Sequence, residues 1–250
     1  MTNDDSHDSP LFHFLIEKLK AFGRVAVVVP KTEQSWTGKS MTRFEALTAE
    51  DVQIHGHTAC CLSGTPADCA NFGIYHLFEG KPDLVVSGIN IGINTGVAYA
   101  MSSGTIGACL EANIAGLPAV ALSQELSPDV YVEFTENRQM PADVLARLNG
   151  QSDAILDRLF ERLLDRADFR TAPVTWSANL PFRARADWAI VPACLGRSFY
   201  GSCFQKTGDG YRHRVMAPEE DTREAADSAV LKQGHVSLTR LDIRTFGKLG

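Results

Sequence analysis

The chain has 250 residues, 44% hydrophobic and 22% charged, with a formal net charge of −6. That is enough length and apolar content for one large domain or a domain with an extension around a sizeable core. The acidic balance argues against a surface that wraps long nucleic acid, which needs clustered Lys and Arg, and no stretch approaches the roughly 20 apolar residues of a membrane helix.

The first segment with a helical period opens at Ser9-Pro10 and carries Leu11, Phe12, Leu15, Ile16, Leu19 and Phe22 on one face. Residues 24–29 form a β-branched run flanked by Gly23 and Pro30, which reads as a buried parallel strand. Thr65-Pro66 opens a second helix that runs to about Phe78. Residues 83–87 (DLVVS) are another buried strand, followed by a glycine-rich loop, a helix over 105–115 and a strand over 118–122. Residues 126–140 read as irregular, 141–166 as a long helix with Leu145, Leu148, Ile155, Leu156, Leu159 and Leu163 in register, and 174–180 as a strand. Alternating strand and helix predict an α/β fold with a parallel sheet. Beyond residue 180 the pattern becomes Gly-punctuated and hairpin-like, which suggests a core over 1–180 and a C-terminal extension over 181–250.

The start carries an anomaly. Met1-Thr2-Asn3-Asp4-Asp5 stands directly at what reads as a strand-to-helix loop, whereas a doubly wound sheet has an apolar strand before its first helix. The expectation is a first strand that is missing or that lies upstream of Met1. No basic segment followed by an apolar one opens the chain, and the six cysteines contain no Cys-x-x-Cys pair. Both read as a cytoplasmic protein with reduced thiols.

Ligands of an open parallel sheet bind outside the carboxyl ends of its strands. The loops expected there hold Asn3, Asp4 and Asp5; then Lys31, Gln34, Ser35, Thr37 and Lys39; then Asn90, Asn94, Ser102, Ser103, Gly104 and Thr105. Adjacent carboxylates repel each other, and a hard divalent cation on oxygen ligands relieves that repulsion. Ser103-Gly104-Thr105 leads into a helix, where free N–H groups and a close-approaching glycine make an anion site. A metal beside an anion site is the arrangement phosphoryl transfer requires.

Taken in order, Thr2-Asn3-Asp4-Asp5, Ser35-x-Thr37-Gly38-x-Ser40, Gly64-Thr65-Pro66-Ala67-Asp68-Cys69, Ser87-Gly88-Ile89-Asn90-x-Gly92-x-Asn94-x-Gly96 and Ser103-Gly104-Thr105 resemble the SurE nucleotidases. Asn179-x-Pro181 and residues 234–239 (GHVSLT) resemble the C-terminal half of that family. The resemblance implies a Rossmann-like core, and a C-terminal extension used in homodimer or homotetramer assembly. It also implies hydrolysis of 5'- and 3'-nucleoside monophosphates with one divalent metal cation. It carries the metal ligands to Asp4, Asp5, Ser35 and Asn90, and the family's Ser-Gly-Thr to Ser103, Gly104 and Thr105, with Ser102 an alternative to Ser103 for the phosphate contact; Asp4 or Asp5 is the candidate to assist proton removal. Asn94 and Lys39 are further candidates for the substrate side. The sequence departs from the family at Ser6, where Gly is usual, at Ala98, where Asp is usual, and in a loop one residue longer before Ser103. Those departures leave two alternatives, a phosphatase for another small monoester and a nucleotide-binding protein without turnover.

Overall fold

A computed structural model of the chain describes residues 1–77, 79–214, 219 and 221–245. The elements run α1 (Pro10–Lys20), β1 (Val28–Pro30), β2 (Ala49–Ile54), β3 (His57–Leu62), α2 (Pro66–His76), β4 (Val85–Ile91), α3 (Gly96–Ser102), α4 (Gly104–Ile114), β5 (Ala119–Gln124), α5 (Pro128–Asn137), α6 (Ala142–Leu164) and β6 (Thr175–Leu180). They continue through β7 (Ile190–Ala193), β8 (Phe204–Thr207), β9 (Gly210–His213), α7 (Asp227–Lys232) and β10 (Val236–Leu241). Phe78, expected at the end of the second helix, lies outside the described residues.

The fold is α/β with a sheet that is mostly parallel, as the alternation of periods predicts. Strands β4, β5 and β6 run parallel, β10 pairs antiparallel with β6, and β7 joins β10 in parallel at the edge. The period-two alternation of β5 separates the layers. Val120 and Leu122 face α1 and α6 in a core with Leu11, Leu15, Leu148, Leu156 and Leu159. Ala119 and Ala121 face the other way, onto Ile106, Cys109 and Ala112 of α4.

The first strand is present as a stub of two residues. Thr2 N donates to Val86 O and Gly88 N donates to Thr2 O, both at 3.0 Å, while on the other side Val28 N donates to Met1 O at 3.0 Å. Met1 and Thr2 therefore bridge β1 to β4, and the stub delivers Asn3, Asp4 and Asp5 to the carboxyl end of the sheet. β1 is shorter than the apolar run suggests. The amino-terminal part of that run borders a cavity of about 490 Å³ lined by Met1, Phe22, Val25, Leu77, Leu84 and Phe160. The cavity lies at the amino ends of the strands, opposite the acidic pair, and takes no part in the site below.

Two further differences concern elements that the sequence pattern hides. Residues 49–54 and 57–62 form an antiparallel hairpin, with β3 also pairing β1 in parallel. Residues 128–137, expected to be irregular, are helix α5. The helix starts at Ser127-Pro128 and buries Val130 and Phe134, one turn apart, too narrow an apolar stripe to register as a period. Past residue 180 the expected hairpin is β8–β9, but β10 returns to the main sheet beside β6.

In β4 the pairing register with β5 shifts between Ser87 and Asn90. This irregularity turns the end of the strand and sets where Asn90 lies. Gly88 permits it, since its φ is +127° and a Cβ there would stand 2.3 Å from Leu122 O. Truncating Phe134→Ala, which removes the buried ring under α5, is expected to cost about 3–5 kcal/mol, read from urea denaturation.

Candidate active site

Asp4 and Asp5 are 3% and 4% exposed. They are sequence neighbours at a bend in the chain, and each meets a different element. Asp4 accepts from Thr105 Oγ1 at 2.5 Å and from Thr105 N at 3.1 Å, in the first turn of α4. Asp5 Oδ2 accepts from Ile91 N at 3.0 Å, at the end of β4. The helix dipole of α4 favours the Asp4 anion. Gly104 makes the approach possible, because a Cβ on it would stand 2.9 Å from the Asp4 Cβ.

Burial pushes both carboxyls above the usual carboxylate range. For Asp4 the bonds from Thr105 work against that rise. Asp5 rises furthest, because the Asp4 charge adds to its burial, and Arg138 opposes the shift only weakly.

The loop after β1 closes over the acids. Gln34 N donates to Asp4 O at 2.8 Å, and Gly38 N donates to Ser102 O at 2.9 Å, so one loop is tied both to the acidic pair and to the end of α3. Ser35 is exposed in this loop, and its hydroxyl donates to Glu33 Oε1 at 2.7 Å. Glu33 also pairs with Arg138 Nη1 at 2.5 Å, and Arg138 Nη2 donates to the Asp5 carbonyl at 3.0 Å. Sequence reasoning missed Glu33 and Arg138. Nothing in the local sequence marks Glu33, an exposed loop acid, as part of a site. Arg138 follows Asp5 by 133 residues and arrives only because α5 ends there in a left-handed turn, with φ 55° and the guanidinium 4.7 Å over the Phe134 ring.

The remaining candidates lie on the same rim. Asn90 is half-buried, and its Nδ2 donates to Gly92 O at 2.9 Å. Asn94 is buried and ties β5 to β6, with Nδ2 on Ser123 Oγ and backbone N on Asn179 Oδ1, both at 2.8 Å. Ser102 Oγ donates to Ala98 O at 2.9 Å. Ser103 caps α4, accepting from Ile106 N at 3.1 Å. Lys39 forms an ion pair with the buried Glu111 at 2.6 Å, which holds its ammonium against α4. Ser6, where the family has Gly, adopts a left-handed φ of 74°, which is the backbone reason a glycine suits that position.

Among the described residues no group of three or more His, Cys, Asp and Glu could hold a metal ion. A cation here would rest on two carboxylates supplemented by neutral oxygens. The chemistry of the set suits a hard divalent ion, and two adjacent carboxyls driven up by burial and mutual repulsion are the feature such an ion relieves. The Ser35 hydroxyl would have to turn from Glu33 to join it.

An open α/β sheet with a buried pair of carboxyls and a helix start at its carboxyl edge defines a Rossmann-like α/β protein. The Survival protein SurE family model matches residues 1–198. The 5'-nucleotidase SurE of Methanopyrus kandleri is 32% identical over 257 residues, covering 100% of this chain and 92% of that protein. The 5'-nucleotidase SurE of Methanocaldococcus jannaschii is 33% identical, covering 98% of this chain and 91% of that protein. The crystal structure of the SurE protein from Aquifex aeolicus superposes with a TM-score of 0.74 at 27% identity, covering 98% of this chain and 93% of the other. The chain belongs to the SurE family.

Two outcomes test the electrostatics. The folded-state pKa of Asp5 lies above its unfolded value, so the stability linked to its proton is present below about pH 4 and lost as pH rises through the folded value. In EDTA, Asp5→Asn is therefore expected to have a higher Tm than the parent at neutral pH, with the difference shrinking towards pH 4 in a scanning-calorimetry series. Thr105→Val, which keeps the shape but removes the hydroxyl bond to Asp4, is expected to cost about 1.5–3 kcal/mol at neutral pH by urea denaturation.

Proposed function

We propose that the chain is a metal-dependent phosphomonoesterase that hydrolyses nucleoside 5'- and 3'-monophosphates to nucleoside and phosphate. The observation that carries this reading is the buried pair Asp4 and Asp5, anchored on one side by the start of α4 and on the other by the end of β4. The family relatives named 5'-nucleotidase SurE support the substrate class. One divalent cation held by Asp4, Asp5, Ser35 and Asn90 would supply Lewis-acid polarisation of the phosphoryl group.

The chain's own residues divide the remaining work. Asp4 is committed to Thr105 through both oxygens and serves as a fixed anchor. Asp5 is tied through Oδ2 to Ile91 N, which makes it the better placed of the two to take a proton from attacking water. Ser102, Ser103, Gly104 and Thr105, with Asn94 behind them, form the rim that receives the phosphate oxygens. The two serine hydroxyls, which now bond within their own turns, exchange those bonds for phosphate. Arg138 adds a positive charge on the opposite side of the acids, while Lys39 contributes through Glu111 to the placement of the rim.

Residues 181–250 serve as the assembly segment of a cytoplasmic homodimer or homotetramer, with Phe204 and Tyr211 of the β8–β9 hairpin 62% and 70% exposed to meet a second copy. The rival reading, nucleotide binding without turnover, draws on Ala98, buried in α3 where the family has an acid, and on the Ser35 hydroxyl turned to Glu33.

Phosphate release from a panel of 5'- and 3'-nucleoside monophosphates, with Mn²⁺, with Mg²⁺ and with EDTA, tests the proposal. Release is expected with metal and not with EDTA, and Asp5→Ala is expected to lower kcat/KM by about 10³. Nucleotide binding with no release from folded protein would decide for the rival.

A further inference from the structure

Trp36 is the residue after Ser35 and sits in the loop whose Gln34 N holds the Asp4 carbonyl. Its φ is 64°, a left-handed backbone that is uncommon for a bulky side chain and that clusters at functional loops. The indole meets three rings from distant parts of the chain. Tyr99 of α3 lies 6.1 Å away at an interplanar angle of 78°, Tyr200 5.5 Å away at 60°, and His213 of β9 4.7 Å away at 69°. All three stand at steep angles to it, so none of these contacts is an offset parallel stack. Trp36 and Tyr200 each remain 36% exposed. Tyr99 stands one helical turn before Ser103, and Gly38 N binds Ser102 O. The aromatic group is thus fastened to the same two loops that hold the acids and the phosphate rim.

We propose that Trp36 is a specificity-determining residue that stacks on the nucleobase of the substrate, with Tyr99, Tyr200 and His213 holding the indole upright. The proposal rests on the nucleotidase reading and adds what that reading lacks, a surface that tells a nucleotide from other phosphate monoesters. Stacking on an aromatic side chain tolerates every base, because every base has a π-face. The site therefore accepts purine and pyrimidine nucleotides and disfavours esters with no aromatic base.

The test compares AMP with ribose 5-phosphate, which shares the phosphate and sugar but has no base, in the full-length protein and in Trp36→Ala and Trp36→Phe. Trp36→Ala is expected to lower kcat/KM for AMP by about 5–150-fold, the worth of one base stack. The loss should fall on KM, be far smaller for ribose 5-phosphate, and be largely restored by Trp36→Phe. An equal loss on both substrates, or none on AMP, would overturn the proposal while leaving the phosphatase reading standing.

A second readout does not need turnover. Trp176 and Trp188 also emit, so the Trp36 signal is the difference between the parent and Trp36→Phe. AMP is expected to quench that difference signal and ribose 5-phosphate to leave it unchanged. Should neither ester be hydrolysed, the nucleotidase reading falls, and quenching by AMP alone decides the stacking proposal.

Discussion

Two adjacent carboxyl groups are buried side by side at the carboxyl edge of the sheet, and much of the surrounding architecture answers that fact. Burial and mutual repulsion both favour the neutral forms. The fold opposes this with a backbone N–H, a hydroxyl and the positive end of a helix at Asp4, and with a strand-end N–H and a guanidinium near Asp5. Gly104 lets the helix come close enough to do so. Holding both acids in their charged forms is therefore costly, and the groups around them offset part of that cost.

The closing of the site depends on parts of the chain far apart in sequence. The loop after β1 reaches the acids through Gln34 and reaches α3 through Gly38. Arg138 enters from the end of α5, whose two buried residues fix where that end lies. The aromatic group around Trp36 draws the β8–β9 hairpin onto the same loop. Changes on the hairpin therefore reach the loop after β1 through ring contacts, and the acids, the start of α4 and the hairpin form one connected unit.

Much of this was legible in the residues. Buried β-branched runs alternating with helical periods give an α/β sheet because period two and period 3.6 cannot share one surface. Asp4-Asp5, the glycine-rich loop and Ser103-Gly104-Thr105 fall after strands, and a parallel sheet sends all such loops to one edge. The alternation that puts Val120 and Ala121 on opposite faces is visible in the string itself. Less legible were α5, where Val130 and Phe134 alone face inward, and the β2–β3 hairpin, whose β2 is mostly exposed. Both are stabilised by what they pack on or pair with rather than by their own pattern.

What the sequence determined by itself is the layer order, the edge at which chemistry collects and the pairing of Asp4 with Asp5, since each follows from local period or chain adjacency. The tertiary structure alone decided which groups those acids meet. Arg138 is separated from Asp5 by 133 residues, Thr105 from Asp4 by 101, and His213 from Trp36 by the greater part of the chain. The strand stub at Met1-Thr2 was also settled there, because two residues have no period to read and become a strand only through the hydrogen bonds that Val28, Val86 and Gly88 offer them. Local pattern reports the cost of each conformation, whereas long-range contact depends on the summed packing of the whole chain, and no single segment encodes that sum.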